Sequence, residues 1–429
     1  MPGPFLMPQL RLDAVSRYFL ALIVLGIPFN LLGNRYYATS INIGEWLISY
    51  AGGFVRRGLP GTVLHAMALS WQIPPVYVIW IVSLCSYFLL AALIWHFCRQ
   101  RIDTVLLLSP MILLAPIIEN FLIKKDALLV ALYGLCLLAI RISQKGNIAA
   151  VFTVFIVNML SVLAILLHES YGFWALPSLV LIFFWARFNP GTSIRESLLA
   201  AILRLSPSIV IFFLCLVFKG SPGQALTIHE SWQDLARQFP SMVALSAKVP
   251  PHGSIDAIGW TTLQGLSMSY SILTGFSYFV WIPLAWLVTL YVCVRLFIGD
   301  EGKPESTLKR GVILFQFLMT FPLFVLGSDF GRWIFLWIAS SALFFGFLSS
   351  FSRSHSRALE AVSRWKLFLL TRKIIPGIEL RGPFKLSLVF LGIPMCCWSL
   401  GFLWLSSPLG YGYLLVKTAR DILLFGIPT

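Results

Sequence analysis

Four short runs in this chain carry residues able to do chemistry. Arg56-Arg57 lies in GFVRRGLPG. An arginine fork matches phosphate oxygens, and flanking glycines let backbone approach a ligand closely. The same pair would serve equally well as snorkelling side chains that hold lipid headgroups. Lys124-Lys125-Asp126 sets two cations and an acid where a helix is expected to begin. The acid there complements the helix dipole and is neutralised by a lysine, or a lysine meets a phosphate above the same helix end. His168-Glu169, in LLHESYGFWALP, offers a carboxylate at an apolar boundary, where a raised pKa would suit a general base. Alternatively Glu169 caps the next helix, with Tyr171 and Trp174 as interface aromatics. The pair lacks HExxH spacing and is no zinc signature. Asp329 and Arg332, in GSDFGRWIFLW, have the spacing of a salt bridge at a helix start, while Gly327 and Gly331 would permit an unwound ligand loop. His65, His229 and His252 stand alone and say little.

The elements that must position these groups follow from composition. Of 429 residues, 58% are hydrophobic and 11% charged, whereas roughly a quarter of a soluble domain is charged. Mean hydropathy is +0.85. Such a chain needs lipid around it, and long apolar runs select membrane-spanning helices over a barrel. The net charge of +15 sits mostly in short loops between apolar runs, the pattern of topogenic charges, so nucleic acid is not an expected partner. The seven cysteines form no CxxC pair and read as packing residues, with no disulfide framework and no metal site. Arg11 and Arg17 precede an apolar stretch that lacks a small-residue cleavage site, so it reads as an uncleaved first helix.

The sequence predicts an all-α, polytopic transmembrane bundle forming one integral membrane domain, 1–429. Candidate spans are 15–33, 74–97, 104–120, 121–141, 148–167, 171–187, 202–218, 271–298, 311–328, 332–351 and 384–406, with 409–428 left undecided. That is about eleven crossings, within a range of about ten to thirteen. Most of the 32 Lys and Arg residues fall on one side when the N-terminus is placed in the cytoplasm, including a basic loop at 352–383. This orientation leaves two longer outer segments, 34–73 and 219–270, each expected to carry short interfacial helices. The runs 104–118 and 127–140 are short for full crossings, with Glu119, Asn120, Lys124, Lys125 and Asp126 between them near hydrocarbon depth. All four polar runs fall at the outer face, where convergent polar groups mark a site.

Taken together, GFVRRG, KKD, HES and DFGRW resemble a group of bacterial membrane proteins of surface-polysaccharide clusters. Its wider relatives are O-antigen and exopolysaccharide polymerases and other multi-span (GT-C-like) glycosyltransferases that use lipid-linked donors. The chain departs from the mannosyltransferase branch in having Glu45 as the only acid in the loop after the first span, and 219–270 does not match the longer outer-loop pattern of the ligase and polymerase relatives. The resemblance implies an enzyme of the bacterial inner membrane that joins polyprenyl-diphosphate-linked oligosaccharides at the periplasmic face, beside other polysaccharide-export proteins. It implies that Arg56, Arg57, Arg332, Lys124 and Lys125 meet the diphosphate. Glu169, then Asp329, with His168 beside them, would handle the acceptor proton, and no cofactor or metal would be required. Tyr36, Tyr37, Trp46, Trp232 and Trp260 are candidates for stacking on sugars. The competing expectation is a transporter or flippase for a lipid-linked or anionic solute.

Overall fold

A computed structural model of the chain describes residues 6–36, 42–100, 102, 104–144, 146, 149–187, 193–239, 253–275, 304–327, 329–348 and 407–425. Among these the protein is all-helical, with no strand. In chain order the helices are α1 (Leu6–Tyr36), α2 (Asn42–Trp46), α3 (Gly58–Trp71), α4 (Pro75–Cys98), α5 (Thr104–Leu108), α6 (Ala115–Ile118), α7 (Asp126–Gln144), α8 (Ala150–Leu167) and α9 (Ser170–Trp174). They continue with α10 (Leu176–Arg187), α11 (Ile194–Arg204), α12 (Ser206–Val217), α13 (Pro222–Gln238), α14 (Asp256–Gly259), α15 (Thr262–Gly275), α16 (Pro304–Leu326), α17 (Phe330–Leu348) and α18 (Pro408–Phe425). Five are long and apolar enough to cross a membrane: Ala14–Leu31 within α1, then α4, α7, α8 and α17; the bent pair α11–α12 makes up to six. The expected spans 271–298 and 384–406 and the basic loop 352–383 lie largely or wholly outside the described residues.

The centre of the bundle is α17, buried along its whole length and packed against α4, α7 and α16. An all-round apolar helix has no face for water and suits this position. Its aromatics set the spacing: Trp185 stacks on Phe344 at 6.0 Å, and the Trp337 indole donates to the Ile313 carbonyl of α16 at 2.9 Å. Lipid tails offer no hydrophobic driving force between helices, so contacts of this kind carry the association.

Three expected spans are not single helices. The run 104–120 is broken into α5 and α6, which corrects the reading of a third crossing. Pro110 and Pro116 explain the break, because proline removes an amide donor and disfavours helix in the residue before it. The irregular backbone is buried, so its carbonyls need partners. Asn30 donates to the Ile117 carbonyl at 2.9 Å, Tyr87 to Leu113 at 2.7 Å, and Trp46 to Ile123 at 2.6 Å. The run 171–187 is divided between α9 and α10 at Ala175. The run 202–218 is split between the last residues of α11 and α12, which meet at a 69° bend. Pro207 lies at the start of α12, and the Asn158 amide of α8 bridges the break by donating to the Arg204 carbonyl at 2.8 Å.

The Asn30 amide also lies 3.0 Å from the Tyr411 hydroxyl of α18, joining α1, α6 and α18 at one buried point. Replacing a buried donor leaves its acceptors unsatisfied, at about 1–3 kcal/mol. Asn30→Leu is expected to lower the melting temperature of the detergent-purified protein by several degrees. An unchanged melt, read by intrinsic tryptophan fluorescence, would mean that this junction does not hold the three helices.

Candidate functional site

The chain order of the four polar runs is widely spread, yet their helices end together. Lys124-Lys125-Asp126 opens α7, His168-Glu169 follows the last turn of α8, and Asp329 precedes α17. Arg56-Arg57 enters from the segment before α3. The side chains meet in one ion cluster at this end of the bundle.

Arg57 faces Glu169 side-on: its Nε donates to Oε2 at 2.7 Å and its Nη2 to Oε1 at 2.5 Å. Arg56 Nη1 donates to the same Oε1 at 3.1 Å. The other Arg56 nitrogen, Nη2, donates to the Ala257 carbonyl at 2.6 Å, and its amide donates to the Phe218 carbonyl at 3.0 Å. The second polar segment therefore braces the first. Arg57 has φ 65°, a left-handed backbone that a residue with a Cβ rarely adopts. The two-point contact with Glu169 fixes the side chain that this turn projects.

The glycines around Arg56-Arg57 serve the chain itself, where the sequence suggested space for a ligand. A Cβ on Gly58 would strike the Tyr50 ring, and one on Gly61 would strike the Ile48 carbonyl. The Gly61 amide donates to that carbonyl at 3.1 Å. The motif is a tight packing turn that positions the arginines.

Arg332 forms the second centre. Its Nε donates to Asp126 Oδ2 at 2.8 Å and its Nη1 to Asp329 Oδ2 at 2.5 Å, and Nη2 lies 3.6 Å from Glu45 Oε1. Lys124 reaches Asp329 at 3.7 Å. Lys125 is fully buried: its ammonium donates to the backbone carbonyls of Glu45 at 2.8 Å and Leu167 at 3.2 Å, over the Trp46 ring. The Leu167 carbonyl belongs to the last turn of α8, which has no helical partner of its own. Asp126 fits the dipole reading as the first residue of α7, but its counter-ion is Arg332. Asp329 and Arg332 form the i, i+3 pair, with α17 beginning at Phe330. Glu169 does not cap α9 with its side chain.

His168 joins the two centres. Its Nδ1 accepts from the Ser170 amide at 3.1 Å, leaving the proton of a neutral ring on Nε2, 3.6 Å from Glu45 Oε1. Burial, helped by Arg57 and Arg332, depresses its pKa far below 6.5 against the pull of Glu169 and Glu45. Burial alone would raise Glu45, but Arg332, with the two lysines, outweighs it and holds the carboxyl below its usual value. Burial likewise opposes ionisation of Glu169, yet Arg57 and Arg56 hold it well below the usual carboxylate range. The expected raised pKa at Glu169 is therefore reversed, because an apolar boundary matters less than two guanidiniums in contact.

Neither a family model, a curated protein nor a solved structure matches this chain.

Five basic side chains thus face four carboxylates around a neutral histidine. Access divides it. The side chains of Arg56, Arg57 and Asp329 are 19%, 16% and 25% exposed, and the rest are nearly closed off. An anion arriving from outside would meet the Arg56-Arg57 rim first. Glu45 is the member that motif reading passed over; the signal was its standing as the only acid of 34–73. Trp46 and Trp232 are braces here: both rings are buried, and their indoles donate to Ile123 and Leu47 carbonyls. Among the described residues no His, Cys, Asp and Glu grouping could hold a metal ion.

Arg332→Ala would strand Asp126 and Glu45 as buried charges, which costs about 3–5 kcal/mol when one partner of a buried pair is removed. The variant is expected to yield little folded protein by size exclusion in detergent, with Arg332→Lys partly restored. Wild-type yield from the alanine variant would show that the pin is dispensable. The pKa shifts also set a pH dependence. Between the folded and unfolded pKa values of each of His168, Glu45 and Glu169 the unfolded chain binds more protons, so stability is lost as the pH is lowered. The loss at His168 begins below 6.5, and Glu45 and Glu169 add a second loss below 4.5. Melts across about pH 8 to 4 should show both limbs. His168→Gln is expected to shrink the upper one, and an identical profile in that variant would contradict the assignment.

Proposed function

We propose that this protein is a membrane-embedded glycosyltransferase of the polysaccharide-polymerase type, acting on a polyprenyl-diphosphate-linked oligosaccharide. The observation that carries the reading is the partly open Arg56-Arg57 rim, set on a buried ion cluster with carboxylates in contact. Two guanidinium forks suit the two phosphoryl groups of a diphosphate, and fixed cations stabilise the charge that develops on it as a leaving group. In the reaction, the acceptor hydroxyl gives its proton to Glu169, and its oxygen forms the new bond to the anomeric carbon. The bond from that carbon to the diphosphate oxygen breaks, and its electron pair leaves on the polyprenyl diphosphate. Asp329, the most exposed acid of the rim, is the second candidate base. Lys124 assists at the edge; Arg332, Lys125 and His168 hold the cluster in shape.

The placement that goes with this reading is the bacterial inner membrane, with the N-terminus cytoplasmic, about eleven crossings and the cluster facing the periplasm. The helix-rich, apolar chain and the excess of basic residues in alternate loops support it.

Purified protein supplied with a polyprenyl-diphosphate oligosaccharide is expected to give longer glycans and free polyprenyl diphosphate. Arg57→Ala should lower turnover by about 10²–10³, the usual effect of removing one donor to developing negative charge. Glu169→Gln should abolish it while the protein still folds. Movement of the lipid-linked sugar across a vesicle bilayer with no new glycosidic bond would favour a flippase and reject the enzyme.

A further inference from the structure

We infer that Glu169 is an internal stand-in for the ligand's anion, occupying the Arg56-Arg57 site until a diphosphate displaces it. The inference rests on the diphosphate reading above and adds how the site is kept and opened.

The geometry is that of an occupied anion site. Both Glu169 oxygens are taken by Arg57, and Oε1 is shared with Arg56. A planar carboxylate across a guanidinium fork makes the contacts a phosphoryl group would make. Arg56 is held from behind by the Ala257 and Phe218 carbonyls, and Arg57 by its turn, so both forks stay in place if the carboxylate leaves. Arg332 differs. Its three acids come from α7, the start of α17 and α2, and it is almost fully buried, so displacing them would unpack the bundle. Glu169 is as buried as Arg332, but it sits on the short junction between α8 and α9, and the arginines it holds are the partly exposed ones, at 19% and 16%. It is the carboxylate that an incoming anion can replace.

Displacement also resolves a conflict in the mechanism. Fixed on two guanidiniums, Glu169 is a weak base. Once a diphosphate takes those contacts, the carboxylate loses the interactions that favour its ionised form and gains proton affinity. The base thus becomes competent only when the leaving group is seated, which guards against idle chemistry at an empty site. Self-occupation has a second consequence: apparent affinity falls in proportion to the fraction of molecules with the site open.

The test is pyrophosphate binding, by isothermal calorimetry, to the full-length protein in nanodiscs. Glu169→Gln keeps the shape but cannot ion-pair with the arginines, and it is expected to bind at least about 10-fold tighter than wild type. It should do so while remaining inactive in glycan synthesis. Asp234→Asn removes one negative charge from the exposed Asp234–Arg237 pair of α13, outside the cluster, and its affinity should stay within about 3-fold of wild type. If Glu169→Gln fails to fold, Glu169→Asp takes its place, since the shorter side chain cannot span both arginines and should also bind tighter than wild type. Unchanged or weaker binding in the Glu169 variants, or equal tightening in Asp234→Asn, overturns the stand-in role. Wild-type binding that is lost in Arg57→Ala would then leave the diphosphate reading intact. Absence of pyrophosphate binding in every folded variant would remove that reading, and this inference with it.

Discussion

The Arg332 guanidinium fixes where the ends of the central helices lie. It joins the first residue of α7 to the residue before α17 and reaches the α2 acid Glu45, all in surroundings where an unpaired charge is very unfavourable. No apolar contact could impose the same register, because sliding one helix against another in lipid replaces methyl groups with methyl groups. An ion cluster does not slide: moving α7 by one turn would separate Asp126 from Arg332 and strand both. Among the described residues most of the buried charged side chains thus gather at one end of the bundle, and the turn before α3 is joined to them through Glu169.

Much of this was legible in the sequence because it is so apolar. Against 58% hydrophobic residues, every charged doublet is conspicuous, and the four runs named by residue type are the ones that meet. Their meeting follows from which ends of α7, α8 and α17 carry them. Single residues were harder. Glu45 has no neighbouring motif, and nothing in its own segment indicates that Arg332 and His168 lie within 4 Å across more than a hundred residues. The division of labour among the cations was also hidden. Lys125 and Lys124 are adjacent in sequence, yet one is locked onto backbone carbonyls and the other reaches an acid at the rim.

Helix boundaries failed for a related reason. Hydropathy averages over a window, so a proline or a serine inside an apolar run barely changes the signal while it ends the hydrogen-bonded ladder. Residues 104–120 show this: the composition is that of a span, but Pro110 and Pro116 divide it, and Asn30 and Tyr87 side chains supply donors that the helix no longer provides. The glycines near Arg56 misled in the opposite direction. Glycine marks close approach, and the sequence cannot say whether the approaching group is a ligand or, as here, the chain's own Tyr50 and Ile48.

The two arginine centres share a chemistry and differ in what their partners are attached to. Arg332 is ringed by carboxylates on separate elements, so its pairs carry the fold. Arg57 is satisfied by one carboxylate at a short helix junction, so its pair can open without moving a spanning helix. Burial makes both strong, because low dielectric raises attraction and the penalty for separation alike. What separates a structural ion pair from an exchangeable one is therefore the mechanical cost of moving the partner. On that criterion the rigid platform and the mobile acid belong together: the lower cluster holds the forks still, and only a site whose cations stay fixed can trade one anion for another.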